Sequence, residues 1–319
     1  MVLMKKSVFF AVLFLFCGLC PSFAAEKGAS ALIWEVTHPD HPGKLYLGGT
    51  VHACRSDMYP LDAVYDDILK KSDYLVFEIA DLSPLAALSF MIQNGFYPPD
   101  SPEFLPDVIG EQLFNDLVEM LRKKSPMMTP ERARRMKPWT FMTLHSAAFG
   151  QQHGFQAVLG MEKMIQNTPE ARQKEKRSLE TVTSQLSILA APALEKEIIY
   201  MLNDFRKNPE TAVEELNTLI EVYRTGNEKR MLELIQKTAK ETPLFYQSLM
   251  VKRNQEMSEK LFKMLAEKKT GSVWVGLGHF CGKESIRAIL TKKGCRIVTL
   301  KYHGKAGSIG QKSSRKGNK

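Results

Sequence analysis

The chain has 319 residues, of which 44% are hydrophobic and 25% are charged. This composition supplies enough apolar surface for a sizeable core and excludes a largely disordered protein. The formal net charge of +9 lies mostly at the two ends, because residues 1–24 and 301–319 together carry eight basic side chains and no acid. The remaining body is nearly neutral, so we predict no nucleic-acid partner.

The first 24 residues have the layout of a secretory signal peptide. Lys5 and Lys6 precede an uninterrupted apolar run from Val8 to Cys20, and small residues then offer a cleavage site before Ala25. An uncleaved membrane anchor is the alternative, but a run of about 13 apolar residues is shorter than the ~20 that a spanning helix needs. We therefore predict cleavage near Ala25 and a periplasmic or secreted mature protein.

The mature chain begins with a pattern typical of a strand hairpin followed by a helix and a strand. Two apolar runs, at residues 31–36 and 45–51, flank a turn-rich stretch. Apolar residues then recur at helical spacing between Leu61 and Leu69, and an apolar strand follows over Tyr74–Ala80. The order of strand, loop, helix and strand predicts a unit of the βαβ type.

The end of the chain repeats this pattern. A strand is predicted over Ser272–Leu277, then a helix whose apolar stripe includes Ile286 and Leu290, then a strand over Arg296–Leu300. Between the two units, roughly at residues 82–265, the pattern is helical. We predict an α/β fold in which residues 25–303 form one domain: a mixed central sheet, built from two similar βαβ-type units, with a helical insertion between them.

Residues 304–319 read as a basic flexible tail. They are rich in glycine, serine and lysine and contain no acidic residue. The prediction is a solvated segment, and contact with an anionic surface or partner is the alternative.

One motif occurs at the same place in both units. Gly49 to Cys54 and Gly276 to Cys281 both read Gly-x-x-His-x-Cys, and both follow a predicted strand. Loops at strand ends are where open α/β sheets form their sites. Glycine permits close approach of backbone or ligand, and histidine suits metal ligation or proton transfer. A single such histidine is more often structural, but two in matched contexts favour a functional site that contains His52 and His279, with Gly49 and Gly276 beside a ligand.

Three further polar residues lie at positions that predict burial. Glu78 interrupts an otherwise apolar strand, where an ionised carboxylate needs a cation, a metal or good donors. Arg253 and Asn254 fall on the same helical face as Met257 and other apolar residues, which is the inward face. The alternatives are a solvent-facing Glu78 at the strand end and a purely structural salt bridge at Arg253.

The cysteines follow the histidines closely. After processing, only Cys54, Cys281 and Cys295 remain, which is too few for a disulfide scaffold. Since Cys54 and Cys281 each lie two residues beyond a histidine of the same site, we predict a disulfide between them in an oxidising compartment. Metal ligation by the two thiols is the alternative.

These motifs together resemble the TraB/GumN family, and the resemblance covers nearly the whole mature chain. It rests on Gly-Thr-Val-His52, Phe77-Glu78, Lys137-Pro138-Trp139, Leu179-Glu180-Thr181, Arg253-Asn254 and Gly276-Leu277-Gly278-His279. That family is grouped with the Tiki metalloproteases and with ChaN-like and erythromycin-esterase-like proteins. The resemblance implies that His52, Glu78, His279 and Arg253 are functional positions, and that Asn254 and Glu180 are secondary candidates for substrate binding.

The chain departs from the family pattern in the middle. Gly154-Phe155-Gln156 stands where the family usually has an aspartate at the third position, and residues 172–177 are charged where it is usually apolar. The resemblance therefore defines the site best through the motifs near the two ends of the mature chain, and less well through the middle of the sequence.

Three functions follow from these residues. The first is a metal-dependent hydrolase of the peptidase type, in which His52, Glu78 and His279 hold a divalent ion such as Mn, Co, Zn or Fe, and Arg253 steadies an oxyanion or a substrate carboxylate. The second, which the resemblance to the superfamily implies, is a protein that binds a peptide or a haem-type ligand without turnover. The third is a metal-independent esterase that uses one histidine as a base. The substrate of either enzyme would be a peptide or a small molecule.

Overall fold

The computed structural model describes residues 27–81, 84–123 and 128–310. The predicted signal peptide lies outside these residues. The described residues form a six-stranded sheet with the strand order β4-β3-β5-β2-β1-β6. The strands are β1 (Ser30–His38), β2 (His41–Thr50), β3 (Tyr74–Phe77), β4 (Glu175–Ser178), β5 (Thr270–Gly276) and β6 (Arg296–Lys301).

The sheet is mixed, as predicted. β1 pairs antiparallel with both of its neighbours, β2 and β6, whereas β2, β5, β3 and β4 pair in parallel. The central strands β2, β3 and β5 are buried on both faces over most of their length, which is typical of parallel strands covered by helices on both sides. The predicted α/β class is confirmed.

Helices make up most of the remaining structure. In chain order they are α1 (Ala63–Lys71), α2 (Pro84–Asn94), α3 (Leu105–Ile109), α4 (Glu111–Arg122), α5 (Pro130–Arg134), α6 (Pro138–Gln152), α7 (Met161–Gln166), α8 (Pro169–Arg172), α9 (Val182–Leu189), α10 (Glu195–Lys207), α11 (Pro209–Thr225), α12 (Glu228–Glu241), α13 (Pro243–Tyr246), α14 (Lys252–Met264) and α15 (Ile286–Lys292). A π-helical turn, Gln247–Val251, joins α13 to α14, and a 3-10 turn, Leu277–Phe280, follows β5. Among the described residues, no helix has the length and apolar content needed to cross a bilayer.

Helix α1 shows how local sequence fixes an element. The Asp62 side chain accepts a hydrogen bond from the Val64 amide at 2.9 Å, which caps the first turn. Lys70 and Lys71 lie in the last turn, where positive charge stabilises the helix dipole. The buried face of α1 includes Tyr65, whose ring stacks on Trp274 of β5 with centroids 5.8 Å apart. Packing against the centre of the sheet therefore stabilises the helix.

Both predicted βαβ-type units form, but neither joins neighbouring strands. The unit β2-α1-β3 leaves a gap that β5 fills, since β5 pairs with both β2 and β3. The unit β5-α15-β6 crosses over β2 and β1 before β6 pairs with β1. Strand order depends on long-range packing, so it could not be predicted from the local sequence pattern of each unit.

The helical insertion contains a strand that the sequence pattern did not predict. Residues 175–178 form β4, which pairs with β3 at the edge of the sheet. An edge strand keeps one side in solvent and tolerates charge. Here Arg177 forms hydrogen bonds with Glu175 and Glu267, at 2.7 and 2.6 Å. The charged stretch therefore extends the sheet.

The predicted flexible tail begins as ordered structure. The amides of Gly304 and Lys305 donate to the Asp62 carboxylate, and Ile309 is buried. Residues 304–310 therefore pack against the start of α1, and the prediction of a flexible segment from Gly304 is wrong for these residues. The rest of the predicted tail lies outside the described residues.

Candidate functional site

Four parallel strands end at one edge of the sheet, and a polar side chain follows each of them. Within three residues of a strand end lie His52 after β2, Glu78 after β3, Glu180 after β4 and His279 after β5. This edge is where open α/β sheets form their sites. The structure therefore brings both histidines of the repeated motif together with two glutamates.

Glu78 is the centre of this arrangement. Its Oε1 accepts a hydrogen bond from the Gly276 amide at 2.7 Å, and its Oε2 accepts from Arg253 at 2.6 Å and from Gln185 at 3.0 Å. Burial opposes ionisation, but the Arg253 guanidinium and the two nearby histidines outweigh it and hold the pKa of Glu78 well below its usual range. Glu78 is therefore an ionised, buried carboxylate.

The two histidines approach the same oxygen of Glu78. The Nε2 atom of His52 lies 3.8 Å from Oε1, and the Nε2 atom of His279 lies 3.9 Å from it. Each Nδ1 atom has its own acceptor, since His52 bonds the Glu162 carboxylate at 3.0 Å and His279 bonds the Asn254 carbonyl oxygen at 2.6 Å. In the neutral tautomer with the proton on Nδ1, each ring carries its lone pair on Nε2.

Glu162 is a residue of the site that sequence analysis missed. It lies in the first turn of α7, and its Oε1 also accepts a hydrogen bond from Thr50 at 2.6 Å. The amide of Met161 donates to the Val51 carbonyl at 3.0 Å, and a Cβ at Gly160 would collide with the His52 carbonyl oxygen. Because α7 is fixed against the His52 loop in this way, its carboxylate reaches the imidazole. The only local signal that could have pointed to Glu162 was the glycine before its helix. A glycine at this position is too common to indicate a functional site.

Arg253 and Asn254 are both buried on the inward face of α14, as their helical positions predicted. Arg253 joins Glu78 to Glu180, with Nη2 lying 2.6 and 2.8 Å from their carboxylates. Asn254 holds His279 through its oxygen and donates from its nitrogen to the Glu284 carbonyl at 2.8 Å. Both side chains therefore position other groups of the site, and Glu180, a predicted substrate-binding residue, is a partner of Arg253.

The two glycines of the repeated motif lie in different environments. A Cβ on Gly49 would lie 2.5 Å from Leu277, so Gly49 allows close packing of β2 against the turn after β5. A Cβ on Gly276 would lie 3.2 Å from Glu78 Oε1 and 3.5 Å from His52 Nε2. The same atom would lie 3.6 Å from the His279 ring. Gly276 therefore leaves open a space that both histidines and the glutamate surround.

The surrounding charges move the pKa values of the two histidines in opposite directions. Burial alone would lower the pKa of His52, but Glu162 and then Glu78 raise it to about 9. For His279, burial and the Arg253 charge lower the pKa to about 3. Without a bound cation, His52 is therefore protonated and His279 is neutral at pH 7.

The site has the donors and the charge for a divalent cation. His52, Glu78 and Glu162 each offer a ligand atom, and these atoms lie within 4.8 Å of one another. The carboxylates of Glu78 and Glu180 bind the Arg253 guanidinium and that of Glu162 binds His52, so these groups have a formal charge of −2 when both imidazoles are neutral. A dication would balance this charge. Imidazole and carboxylate are the ligands that catalytic zinc and related ions use.

A cavity of about 210 Å³ opens onto the same residues. His52, Arg253, Gly276 and His279 line one end. The walls are formed mainly by apolar side chains of α11, α12 and the π-helical turn. They include Leu216, Leu219, Met231, Leu234, Ile235 and Leu249. The polar centre is therefore at the end of an apolar chamber.

The predicted disulfide between Cys54 and Cys281 is not formed, and both thiols are free and buried. Cys54 donates to the Val51 carbonyl, and its backbone pairs with Gln156. Cys281 lies after the turn that follows β5, near Arg287. The backbone pairing draws the Cys54 loop toward the segment before α7, and this long-range contact was not visible in the spacing of the two motifs.

Comparison with known proteins agrees with the resemblance seen in the sequence. No curated protein matches the chain. The model of the TraB/PrgY/gumN family matches residues 32–299, a span that contains all six strands apart from the first two residues of β1 and the last two of β6. The match includes both Gly-x-x-His motifs, Glu78, Glu162 and Arg253, so the chain belongs to the TraB/PrgY/gumN family.

Proposed function

We propose that this protein is an exported metal-dependent hydrolase that cleaves amide bonds of peptides or of small molecules. The observation that carries the proposal is the geometry of the two histidines. Their Nε2 atoms lie 3.8 and 3.9 Å from one oxygen of Glu78, while their Nδ1 atoms are held by Glu162 and Asn254. Partners of this kind on the second ring nitrogen are typical of metal-ligating histidines.

The ligands in this proposal are His52 Nε2, His279 Nε2 and Glu78 Oε1. Ligand atoms around a tetrahedral ion with bonds of ~2.1 Å are about 3.4 Å apart, and each Nε2 atom lies close to this distance from Glu78 Oε1, at 3.8 and 3.9 Å. Among the described residues, the group whose ligand atoms all lie within 4.8 Å of one another is His52, Glu78 and Glu162, so His279 would have to move toward His52 to share an ion with it. Mn, Co, Zn and Fe all accept such a set. A bound ion would lower the pKa of its water and polarise a carbonyl group.

The other residues keep these groups in place. Glu162 and Asn254 fix the orientation of the imidazoles, and Arg253 holds Glu78 and Glu180 together. In the hydrolysis, the oxygen of water adds to the carbonyl carbon, the bond from carbon to nitrogen breaks, and a proton of the water passes to the leaving amine. His52 is the most exposed of these groups, with 39% of its side chain accessible, and therefore lies nearest to where water and substrate enter.

A metal-independent esterase is the second candidate, because of the opposite pKa changes of the two histidines. A protonated His52 and a neutral His279 beside the same carboxylate form an acid and base pair without an ion. In this version, His279 would accept a proton and His52 would donate one. The two candidates differ in whether activity needs a metal.

The deciding experiment is elemental analysis of the purified mature protein after dialysis against Mn, Co, Zn or Fe. We expect one equivalent of a divalent ion in the wild-type protein and in the control His303→Ala, whose side chain is 42% exposed and lies outside the site. The His52→Ala variant should lose it. Turnover of peptide amides must then be abolished by a chelator. Full turnover without metal would favour the esterase, and bound metal without turnover would favour a ligand-binding protein.

A further inference from the structure

We infer that the apolar cavity is a subsite for a neutral apolar group of about six carbon atoms next to the cleaved bond. This inference rests on the proposed function for the reaction, and it adds the class of substrate. The cavity shares His52, Gly276 and His279 with the polar centre. A carbonyl group beside the histidines would therefore have room for one of its substituents in the cavity.

The size of the group follows from the volume of the cavity. An apolar cavity of about 150 Å³ is known to hold benzene, which has six carbon atoms. The cavity here measures about 210 Å³, and part of that space adjoins the polar centre. The remaining volume fits a hexanoyl group or a large apolar side chain, and it is too small for several side chains at once.

The walls have the chemistry of an apolar subsite. Leu219 of α11, Ile235 of α12 and Leu249 of the π-helical turn come from separate elements and face the same space. The charged residue Glu215 also lines the cavity, but it forms an ion pair with Lys237 at 2.8 Å. Apart from the catalytic end, the walls therefore present little that would favour a charged ligand.

The methionines allow the cavity to adapt to its ligand. A Cβ on Gly278 would lie 3.2 Å from the terminal methyl group of Met250 and 3.4 Å from that of Met231. Both methionines line the cavity next to the turn that carries His279. Their unbranched side chains change conformation easily, so the subsite should accept groups of slightly different shape.

The charge of the polar end selects against an anionic group. In the metal-free protein, the carboxylates of Glu78, Glu162 and Glu180 outnumber the single guanidinium of Arg253 at this end. A free carboxylate placed there would be repelled. An uncharged amide has no such penalty and can donate hydrogen bonds to the carboxylates.

The test uses the whole mature protein freed of metal with a chelator, so that it depends neither on an ion nor on turnover. Titration calorimetry would measure the binding of acetamide, butanamide, hexanamide and octanamide, with hexanoate as the anionic counterpart of hexanamide. We expect affinity to rise about fourfold for each added methylene up to hexanamide. Hexanoate should bind at least tenfold more weakly.

Two variants assign the binding to the cavity. Leu219→Trp fills the cavity and should abolish hexanamide binding, whereas Leu219→Ala enlarges it and should move the best fit to octanamide. Leu244→Trp is the matched control, because Leu244 lies nearby on α13 but is 52% exposed and does not line the cavity. Circular dichroism checks that each variant is folded. If Leu219→Trp does not fold, the shift of the best ligand in Leu219→Ala tests the assignment instead.

Equal affinity across the amides would overturn the inference, as would an unchanged preference for hexanamide in folded Leu219→Trp and Leu219→Ala. If hexanoate bound as tightly as hexanamide, the proposed preference of the subsite for an uncharged group would be wrong. The proposed hydrolase can fail separately. If the dependence on chain length holds but no metal is bound, the subsite remains and the metal-dependent reaction is wrong.

Discussion

His52 and Glu162 are joined by a hydrogen bond of 3.0 Å although 110 residues separate them in the chain. The bond connects the loop after β2 to the first turn of α7. Burial lowers the pKa of this histidine, and the negative charge of Glu162, followed by the hydrogen bond, is the largest of the interactions that raise it. The chemistry of the first motif therefore depends on a helix of the insertion.

The first prediction concerns this pair. Replacing Glu162 with Gln removes the negative charge but keeps a polar group of similar size, so the pKa of His52 should fall clearly below its value of about 9. Nuclear magnetic resonance titration of the imidazole protons in metal-free protein measures this. The control is Glu119→Gln, a change at a carboxylate whose side chain is 73% exposed. An unchanged His52 titration would contradict the observed geometry.

The second prediction uses the space beside Gly276. The backbone at Gly276 has φ −48° and ψ 130°, which alanine can adopt. In Gly276→Ala, however, the new methyl group would occupy the position between Glu78 and the two histidines. We expect the variant to fold and to lose at least 100-fold in affinity for a divalent ion.

Calorimetric titration with Zn²⁺ or Mn²⁺ measures this loss. Gly278→Ala is the matched control, since its methyl group would meet only the flexible ends of Met250 and Met231. Wild-type affinity in Gly276→Ala would show that the ion binds elsewhere.

The third prediction is that His52 and His279 act as one unit. If both ligate one ion, either alanine substitution removes the competent site, and the double variant loses little more than either single variant. Metal affinity and amide turnover of the two single variants and the double variant test this. A double variant of His52 and His303 serves as the additive control. Losses that multiply for His52 and His279 would instead indicate separate functions.

The fourth prediction concerns stability in acid. His145 of α6 is buried, with its ring 4.7 Å from that of Phe205, and neither ring nitrogen has a well-formed hydrogen bond among the described residues. Burial lowers its pKa from 6.5 to about 4. Between these values the unfolded chain binds the proton and the folded protein does not. The contribution of His145 to the free energy of unfolding is therefore fully present above pH 6.5 and is lost as the pH falls through 4.

The full loss corresponds to about 3 kcal/mol in the free energy of unfolding. His145→Leu should remove this dependence, so that its stability changes less than that of the wild type between pH 6.5 and 4. Urea unfolding at several pH values measures the difference, and the exposed His303→Leu is the control. Parallel curves for His145→Leu and wild type would show that another group controls acid unfolding.

The fifth prediction is the cleavage of the leader. The apolar run ends at Cys20, shortly before the small residues Ser22 and Ala24 of a Ser22-Phe23-Ala24 cleavage pattern, so the exported protein should begin at or near Ala25. N-terminal sequencing of protein recovered from outside the cytoplasm identifies the first residue. Recovery of chains that begin with Met1 in a membrane fraction would contradict export by cleavage.

His52, His279 and Glu78 could be predicted from the sequence because the patterns that indicate them lie in neighbouring residues of the chain. A glycine and a histidine directly after an apolar strand indicate a site loop, and Glu78 within apolar residues indicates a buried charge. Glu162 and Gln185 carry no such signal. Each reaches the site only because a helix more than 100 residues from its partner packs there.

The strand order escaped prediction for a similar reason. The pattern at Thr270–Gly276 predicts a strand, but only the whole molecule determines that β5 lies between β2 and β3. The charged residues of β4 fit the same explanation, since only their place at the sheet edge makes a strand of charged residues favourable. Local sequence predicted five of the six strands and the helical character of the insertion, and tertiary packing decided which strands are neighbours.

The central position of β5 also has a consequence for biosynthesis. Until about residue 276 has left the ribosome, β2 and β3 have no strand to pair with on their facing edges, and the loop of His279 does not yet exist. The sheet closes only when nearly the whole chain is available. A nascent chain of this topology therefore keeps the facing edges of β2 and β3 unpaired until late in synthesis, and such edges can pair with other chains until folding is complete.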